Sequence, residues 1–172
     1  MTVTLSEPIE TDDADERPGF ERRKGNCLLQ YWRDLRQGRP YPSIDDVDPA
    51  AIPTLWRFCF LAERGPGGLR YSHLGNAVRR GYGMDSGSSN LEAPPKIVAL
   101  LEDPCRETLA TRAPVLSEGV VPNGWGDELR YRACVCPLSD DGENVSHLLG
   151  LVDYIELRRE IVRGVQIETD IV

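Results

Sequence analysis

The stretch Leu129-Arg-Tyr-Arg-Ala-Cys-Val-Cys136 decides the fold when it is taken together with residues 145–154 that follow it. Both segments are rich in β-branched, aromatic and aliphatic residues, which predicts two strands. Between them, Asp140-Asp141-Gly142 is typical of a turn, because glycine adopts positive φ without steric cost. Successive strand residues point to opposite faces, so this predicted hairpin carries apolar groups on both faces. Each face of the sheet therefore needs a cover.

An amphipathic helix over residues 27–37 is the predicted cover of one face. Asn26 can cap it, and Leu28, Tyr31, Trp32 and Leu35 follow at the spacing of one apolar stripe. We expect Tyr31 and Trp32 to pack on the outer face of the sheet. If this helix instead packs on a second subunit, the same two side chains form a partner interface, so both are candidates for that role.

The remaining elements follow from turn residues and periodicity. Strands are predicted over residues 56–62, 69–75 and 113–121, and a short helix over residues 76–82. A longer helix opens at Pro94-Pro95 and is expected to be reset at Pro104. A terminal helix is predicted over residues 155–163. The order is one helix, two strands, two or three helices and three antiparallel strands, which is an α+β arrangement.

The ends of the chain are expected to lie outside the domain. Residues 1–24 form an acidic leader that is expected to be disordered, since its first sixteen residues carry six acids and no Lys or Arg. Residues 25–155 form the predicted domain, and residues 156–172 the terminal helix and tail. The leader is unlike a secretory signal, and no apolar run approaches the ~20 residues that cross a bilayer, so a cytoplasmic location is expected.

Charge and cysteine content narrow the classes of function. The net charge of −8 argues against a nucleic-acid partner, because phosphate binding needs a concentrated basic surface. The five cysteines are odd in number and widely scattered, which favours buried packing residues over a disulfide framework or a metal site. No motif for a phosphate loop, a metalloprotease or a nucleophile elbow is present, and no catalytic residue is predicted.

Four motifs carry a resemblance to a known family. They are Tyr31-Trp-Arg-Asp-Leu-Arg-Gln-Gly-Arg-Pro40, Asp48-Pro-Ala-Ala-Ile-Pro53, Leu69-Arg-Tyr-Ser-His-Leu-Gly-Asn76 and Pro137-Leu-Ser-Asp-Asp-Gly142. Their order resembles the PAS domain family, in particular single-domain PAS proteins common in α-proteobacteria. The resemblance covers roughly residues 26–154. It implies a PAS-like five-stranded antiparallel sheet with helices on one face and the amino-terminal helix covering the other.

The resemblance also implies a function. We expect a non-enzymatic sensory or regulatory domain that acts through protein–protein interaction with a partner protein or as a homodimer, and that is gated by a small ligand. The pocket would lie between the inner sheet face and the helices, and Tyr71 and His73 are the candidate ligand-binding residues. The sequence names no cofactor.

His73 is the main departure from the family pattern, which tends to place an aliphatic residue there. On the expectation that it shares a strand face with Tyr71, it could be a haem ligand, a pH switch or a hydrogen-bond donor. The competing interpretation is a strand histidine that bonds to a backbone carbonyl or to solvent. An alternative function is a small α+β enzyme that uses His73 as its base, although no paired carboxylate is evident.

Overall fold

The computed structural model describes residues 2–4, 22–81, 95–122 and 128–157. One antiparallel sheet of six strands holds the molecule together. The strands are β1 (Thr2–Thr4), β2 (Cys59–Gly65), β3 (Gly68–Leu74), β4 (Val115–Pro122), β5 (Glu128–Leu138) and β6 (His147–Leu157), in the spatial order β1-β4-β5-β6-β2-β3. Five of them form the predicted PAS sheet, and β1 adds a short sixth strand at one edge.

The β5–β6 hairpin lies at the centre of the sheet and is longer than the sequence pattern indicates. Its register pairs Leu138 with His147 at the turn and Glu128 with Leu157 at the open end. At the turn, Gly142 adopts a φ of +80°, which glycine tolerates without a steric penalty. Asp141 accepts hydrogen bonds from the backbone amides of Glu143 and Asn144 and so closes the loop.

The sheet separates two apolar clusters, as the two-faced strands predict. The inner cluster joins the sheet to α3 (Asn76–Gly81) and α4 (Pro95–Thr111), and its main members are Phe60, Ala62, Tyr71, Leu74, Val78, Leu101, Cys105, Ala133, Val135, Leu148 and Val152. The outer cluster lies beneath α1 (Arg22–Arg36), and its main members are Leu28, Leu29, Trp32, Ile52, Cys59, Cys134, Cys136, Leu138, Leu149 and Leu151.

Helix α1 covers the outer face as predicted, but it begins five residues earlier than expected. Asn26 therefore lies inside the helix and is not its cap. The extra turn is stabilised by tertiary contacts that local spacing cannot reveal. Lys24 reaches Asp153 on β6, and a Cβ added at Gly25 would lie 3.7 Å from the Cβ of Cys134, so the helix approaches the sheet closely there.

The segment between α1 and β2 contains more helix than the sequence predicts. Two short 3₁₀ helices, Ile44–Asp46 and Pro49–Ala51, precede α2 (Pro53–Trp56). Asp48 caps the second of these, because its side chain accepts a hydrogen bond from the amide of Ala50. The expected strand start at Trp56 is wrong, because that residue ends a helical turn and β2 begins only at Cys59.

Helix α4 continues through Pro104, contrary to the predicted break. A proline inside a helix loses one hydrogen bond and costs about 3 kcal/mol. Leu101, Cys105 and Thr108 nevertheless lie fully buried on one side of α4. Packing of this continuous apolar stripe on the sheet outweighs the local cost, and the helix remains one element.

Both ends differ from expectation where they are described. Thr2–Thr4 is a strand that pairs with β4 over three residues, so this part of the leader is not disordered; residues 5–21 lie outside the described residues. Ile155 to Leu157 continue β6 and do not start a helix, because they pair with β5, and the rest of the predicted tail is outside the described residues. No helix in the described parts of the chain is long and apolar enough to span a membrane.

Candidate functional site

A β-bulge separates the two predicted pocket residues. Leu61 pairs with His73 and Ala62 pairs with Tyr71, which leaves Ser72 without a partner position. An extra residue of this kind reverses the facing of everything beyond it. Tyr71 therefore belongs to the inner cluster, while His73 lies on the outer side with Leu61. The expectation that they share one face is wrong, and strict alternation along the sequence could not reveal the bulge.

Tyr71 lies in the inner cluster beneath α4, where PAS domains are expected to hold a ligand. Its ring meets the ring of Phe60 edge to face at a centroid distance of 5.7 Å. Its hydroxyl lies close enough to the Cys105 thiol on α4 for the two groups to influence each other's pKa. Burial raises the pKa of Tyr71 and raises that of Cys105 to about 12, so both groups stay protonated at neutral pH.

The Tyr71–Cys105 pair places two hydrogen-bonding groups inside an otherwise apolar cluster. Buried polar groups of this kind are most stable when each has a polar partner, and here the two groups lie beside each other. Cys105 was not singled out from the sequence. Its position four residues after Leu101, on the apolar stripe of α4, is the signal that would have found it.

His73 has a different environment on the outer side. Its ring stacks on Trp56 at a centroid distance of 4.3 Å and with an interplanar angle of 15°. Burial lowers the pKa of His73, a hydrogen bond to the Trp56 backbone opposes this shift, and the charge of Arg79 adds to it. Its Nε2 atom is buried and has no hydrogen-bond partner among the described residues. A neutral imidazole packed on an indole does not contact the inner cluster, so this geometry does not favour a base or haem ligand in that pocket.

Tyr31 and Trp32 are engaged within their own chain. Trp32 is 4% exposed, and its indole N–H donates to the carbonyl of Pro137 at 2.7 Å. Tyr31 is half-buried, and its hydroxyl accepts from the amide of Asp48 at 2.8 Å. Trp32 thus covers the sheet and has no free surface for a partner, whereas Tyr31 lies at the margin of the covered area.

A buried ion pair fastens the other end of α1, and the sequence analysis missed it. Lys24 Nζ lies 2.7 Å from Asp153 Oδ2, and Asp153 is 4% exposed. The ammonium also lies 4.3 Å from the centroid of the Phe58 ring. The two charges are 129 residues apart, so no local motif links them; the only hint is an acid inside the otherwise apolar strand Leu148–Tyr154.

The turn of the central hairpin brings a serine, a histidine and an aspartate together. Ser146 Oγ lies 3.0 Å from His147 Nδ1, and Asp140 Oδ2 lies 3.3 Å from the same ring nitrogen. In a Ser-His-Asp triad the serine and the aspartate bind opposite ring nitrogens. Here both approach Nδ1, so the group stabilises the turn and lacks the arrangement of a catalytic triad.

This combination of sheet, inner cluster and covering helix is that of a small sensory domain. Residues 21–153 match the PAS domain family, which is most of the 172-residue chain. The protein belongs to the PAS domain family. PAS domains are generally sensory and non-enzymatic. Among curated proteins, none matches the chain.

Several solved structures are similar to part or most of this chain at low sequence identity. An RNA-binding Light-Oxygen-Voltage receptor aligns with 56% of this chain and 28% of its own, at 14% identity and a TM-score of 0.42. The Rhodobacter sphaeroides LOV protein aligns with 66% and 70%, at 12% identity and a TM-score of 0.40. A Vivid variant aligns with 83% and 99%, at 12% identity and a TM-score of 0.43. Similarity of this size says nothing about function.

Proposed function

We propose that this protein is a cytoplasmic, non-enzymatic sensory or regulatory domain that acts through contact with a partner protein and is gated by a small ligand. The supporting observation is that two neighbouring polar groups, the Tyr71 hydroxyl and the Cys105 thiol, lie inside the inner cluster. Ligand pockets are mostly apolar, with a few placed polar groups that fix orientation. The inner cluster has this composition, and membership of the PAS family makes it the expected place for a signal molecule.

The chemistry of the pair restricts the ligand. A molecule that binds in this cluster beside Tyr71 and Cys105 must leave both groups with polar partners, because an unpaired buried polar group costs ~1–3 kcal/mol. The ligand is therefore expected to be small and largely apolar, with one polar group that accepts from the Tyr71 hydroxyl. Since both side chains are uncharged at neutral pH, a neutral ligand is favoured over an ion.

Native mass spectrometry of protein purified from its own host tests the ligand proposal. We expect an extra mass of a small molecule that is reduced or lost in Tyr71→Phe and retained in Tyr31→Phe, a tyrosine of α1 outside the inner cluster. A bound mass equally abundant in both variants would place the ligand elsewhere. An unliganded mass in every preparation would argue against ligand gating.

Partner contact is tested separately. Light scattering distinguishes a homodimer from a monomer, and pull-down from host lysate identifies a stable protein partner. Of Tyr31 and Trp32, Tyr31 is the residue that can contact a partner, because its side chain is half-buried while Trp32 is buried. Tyr31→Ala is expected to weaken the complex and keep the fold. If Tyr31→Ala captured the partner protein as well as the parent does, the interface would not include this part of α1.

A further inference from the structure

Three cysteines lie together beneath α1, and neither the PAS family membership nor the proposed function uses them. Cys134 and Cys136 are both fully buried on the outer face of β5, and their sulfur atoms are 3.8 Å apart. Cys59 lies in the same row across the sheet, because Leu151 pairs with both Cys59 and Cys134. All three belong to the outer cluster.

Helix α1 is what separates this thiol cluster from solvent. Gly25 allows the helix to approach Cys134, and Arg33 of the same helix is close enough to Cys136 to act on its charge. Under this cover none of the three thiols is exposed to solvent, and burial raises the pKa of Cys59 to about 12 and that of Cys136 well above its ordinary value. The thiolate is the reactive form of cysteine. Separation of α1 from the sheet would expose all three thiols to solvent.

The contacts between α1 and the sheet allow the helix to detach from the sheet as one unit. Its polar contacts with the sheet include the Lys24–Asp153 ion pair near its start and the Trp32–Pro137 hydrogen bond in its second half. At its end, Gln37 and Gly38 have φ values of +48° and +83°, so two consecutive left-handed residues connect it to the following segment. An element that covers a sheet through one face can detach at a lower free energy than global unfolding.

We propose that Cys134 and Cys136 form a dithiol oxidation site that becomes reactive when α1 separates from the sheet. A hydroperoxide is the oxidant: one thiolate attacks the peroxide oxygen and gives a sulfenic acid and an alcohol or water. The second thiolate then displaces hydroxide, which leaves as water after taking up a proton, and a disulfide forms. Two thiols lose two hydrogens in total, and the peroxide is reduced by two electrons.

The backbone spacing permits this bond. Alternate residues of an antiparallel strand are ~6.8 Å apart, and disulfides span Cα separations of up to about that distance. The sulfur atoms already lie at 3.8 Å and have to close to ~2.05 Å. The bond therefore requires side-chain rotation and slight compression of β5 at Val135. Oxidation would therefore distort β5, a strand at the centre of the sheet.

Site-resolved alkylation tests whether separation of α1 controls the reactivity of Cys134 and Cys136, a control that we call the α1 gate. Cys105 is the internal control. Cys105 is as deeply buried and its pKa is also raised to about 12, but it lies under α4 on the opposite face. Lys24→Met removes one partner of the buried ion pair. We expect it to accelerate alkylation of Cys134 and Cys136 about tenfold or more and to leave Cys105 unchanged.

Gln30→Ala is the matched control, because it changes an exposed side chain of the same helix whose bond is to Asp34 alone. It should leave all buried thiols as slow as in the parent protein. Acceleration of Cys105 in parallel with Cys134 in Lys24→Met would mean global opening and would overturn the gate. Equal rates in Lys24→Met and the parent would overturn it as well. If Lys24→Met fails to fold, the same comparison of Cys134 with Cys105 is made on the parent protein in urea below its unfolding transition.

Peptide mass mapping tests the bond. No Lys or Arg occurs from Ala133 to Leu157, so one tryptic peptide contains both Cys134 and Cys136. After treatment of Lys24→Met with hydrogen peroxide, this peptide should be lighter by two hydrogens and resist alkylation until reduced. Adding Cys136→Ser should abolish that product. A sulfinic acid at either residue, or a bond to Cys59 in place of the pair, would refute the proposal.

Discussion

At the scale of single residues, the inner cluster depends on a close fit between Phe60 and Gly150. Phe60 lies on β2 and pairs in register with Gly150 on β6, and its ring covers the glycine. A Cβ at Gly150 would lie 2.0 Å from the ring. The glycine is required for packing of its neighbour, and its backbone is not in the left-handed region.

Gly150→Ala is expected to destabilise the fold by about 1–3 kcal/mol, because the Phe60 ring has to leave its position in a close-packed core. Urea unfolding measures the change. Gly67→Ala is the control, since nothing lies within 4 Å of its added methyl group. Phe60→Leu introduced into Gly150→Ala should recover part of the loss. Equal midpoints for Gly150→Ala and the parent would contradict this account of the contact.

His73 predicts a dependence of stability on pH. Its folded pKa is lowered from the ordinary 6.5, chiefly by burial. Between the lowered pKa and 6.5, the unfolded chain binds more protons than the folded chain. The contribution of neutral His73 to the free energy of unfolding is therefore fully present above pH 6.5 and is lost as the pH falls through that window. His73→Phe keeps an aromatic ring on Trp56 and should flatten this part of the profile. Urea midpoints from pH 7.5 to 5 measure it.

His147 provides the control for this profile, because it lies at the hairpin turn beside Asp140 and away from Trp56. His147→Gln should retain the component of the pH dependence that His73→Phe removes. If His73→Phe and the parent lose stability in parallel as the pH falls, the buried imidazole is not the responsible group.

At the scale of elements, α1 combines an apolar stripe with directed polar bonds, and the two kinds of contact do different things. Leu28 and Leu29 supply non-directional burial, which holds the helix on the sheet. The Trp32 indole and Lys24 supply directional bonds that fix where along β5 and β6 the helix lies. Burial of apolar side chains therefore holds α1 on the sheet, and the buried polar bonds fix its position along the strands.

Trp32→Phe should cost about 1–3 kcal/mol, because it leaves the buried Pro137 carbonyl without its N–H donor while it keeps an aromatic ring in place. Tyr31→Phe removes two hydrogen bonds of α1, with the amide and the carbonyl of Asp48, but these lie at an exposed turn, where water can replace them. We expect the smaller loss from Tyr31→Phe. Thermal unfolding of the two variants checks the order, and a larger loss from Tyr31→Phe would contradict it.

The elements also show why the sequence analysis succeeded in some places and failed in others. Ala133 and Cys134 lie on opposite faces of the sheet, as the alternation of a regular strand predicts. The assignment of His73 failed, because one bulged residue inverts the facing of its neighbours. The predicted break at Pro104 failed because burial of Leu101 and Thr108 on either side of it exceeds a local penalty.

At the scale of the whole molecule, the two covers of the sheet come from different parts of the chain. The inner cover, α3 and α4, lies between strands β3 and β4 in sequence, whereas the outer cover, α1, precedes the sheet's five main strands. Strand β1 is a minor addition that pairs over three residues at the edge of the sheet. We therefore expect β1 and α1 to contribute very unequally to the free energy of unfolding.

Two truncations test this inequality. Deletion of residues 1–20 removes β1 and keeps α1, and we expect a folded protein with a thermal midpoint lower by no more than about 4–8 °C. Deletion of residues 1–36 also removes α1 and exposes Leu149, Leu151 and Cys134 as one apolar surface. That variant is expected to aggregate. A monomeric, cooperatively folded product of the longer deletion would show that α1 is dispensable.

The sequence by itself determined the class of fold, the existence of the hairpin and the need for two covers. These follow from periodicity and turn chemistry, which act between residues close together in the chain. Only the tertiary structure decided that Tyr71 and His73 face opposite ways and that Cys105 lies beside Tyr71. It also decided that the Lys24–Asp153 ion pair holds α1 over the thiols of Cys134 and Cys136. The Tyr71–Cys105 and Lys24–Asp153 contacts join residues far apart in the chain, and the opposite facing follows from a bulge of one residue in the pairing of β2 with β3. Their free energy depends on burial and register, which exist only once the sheet has formed.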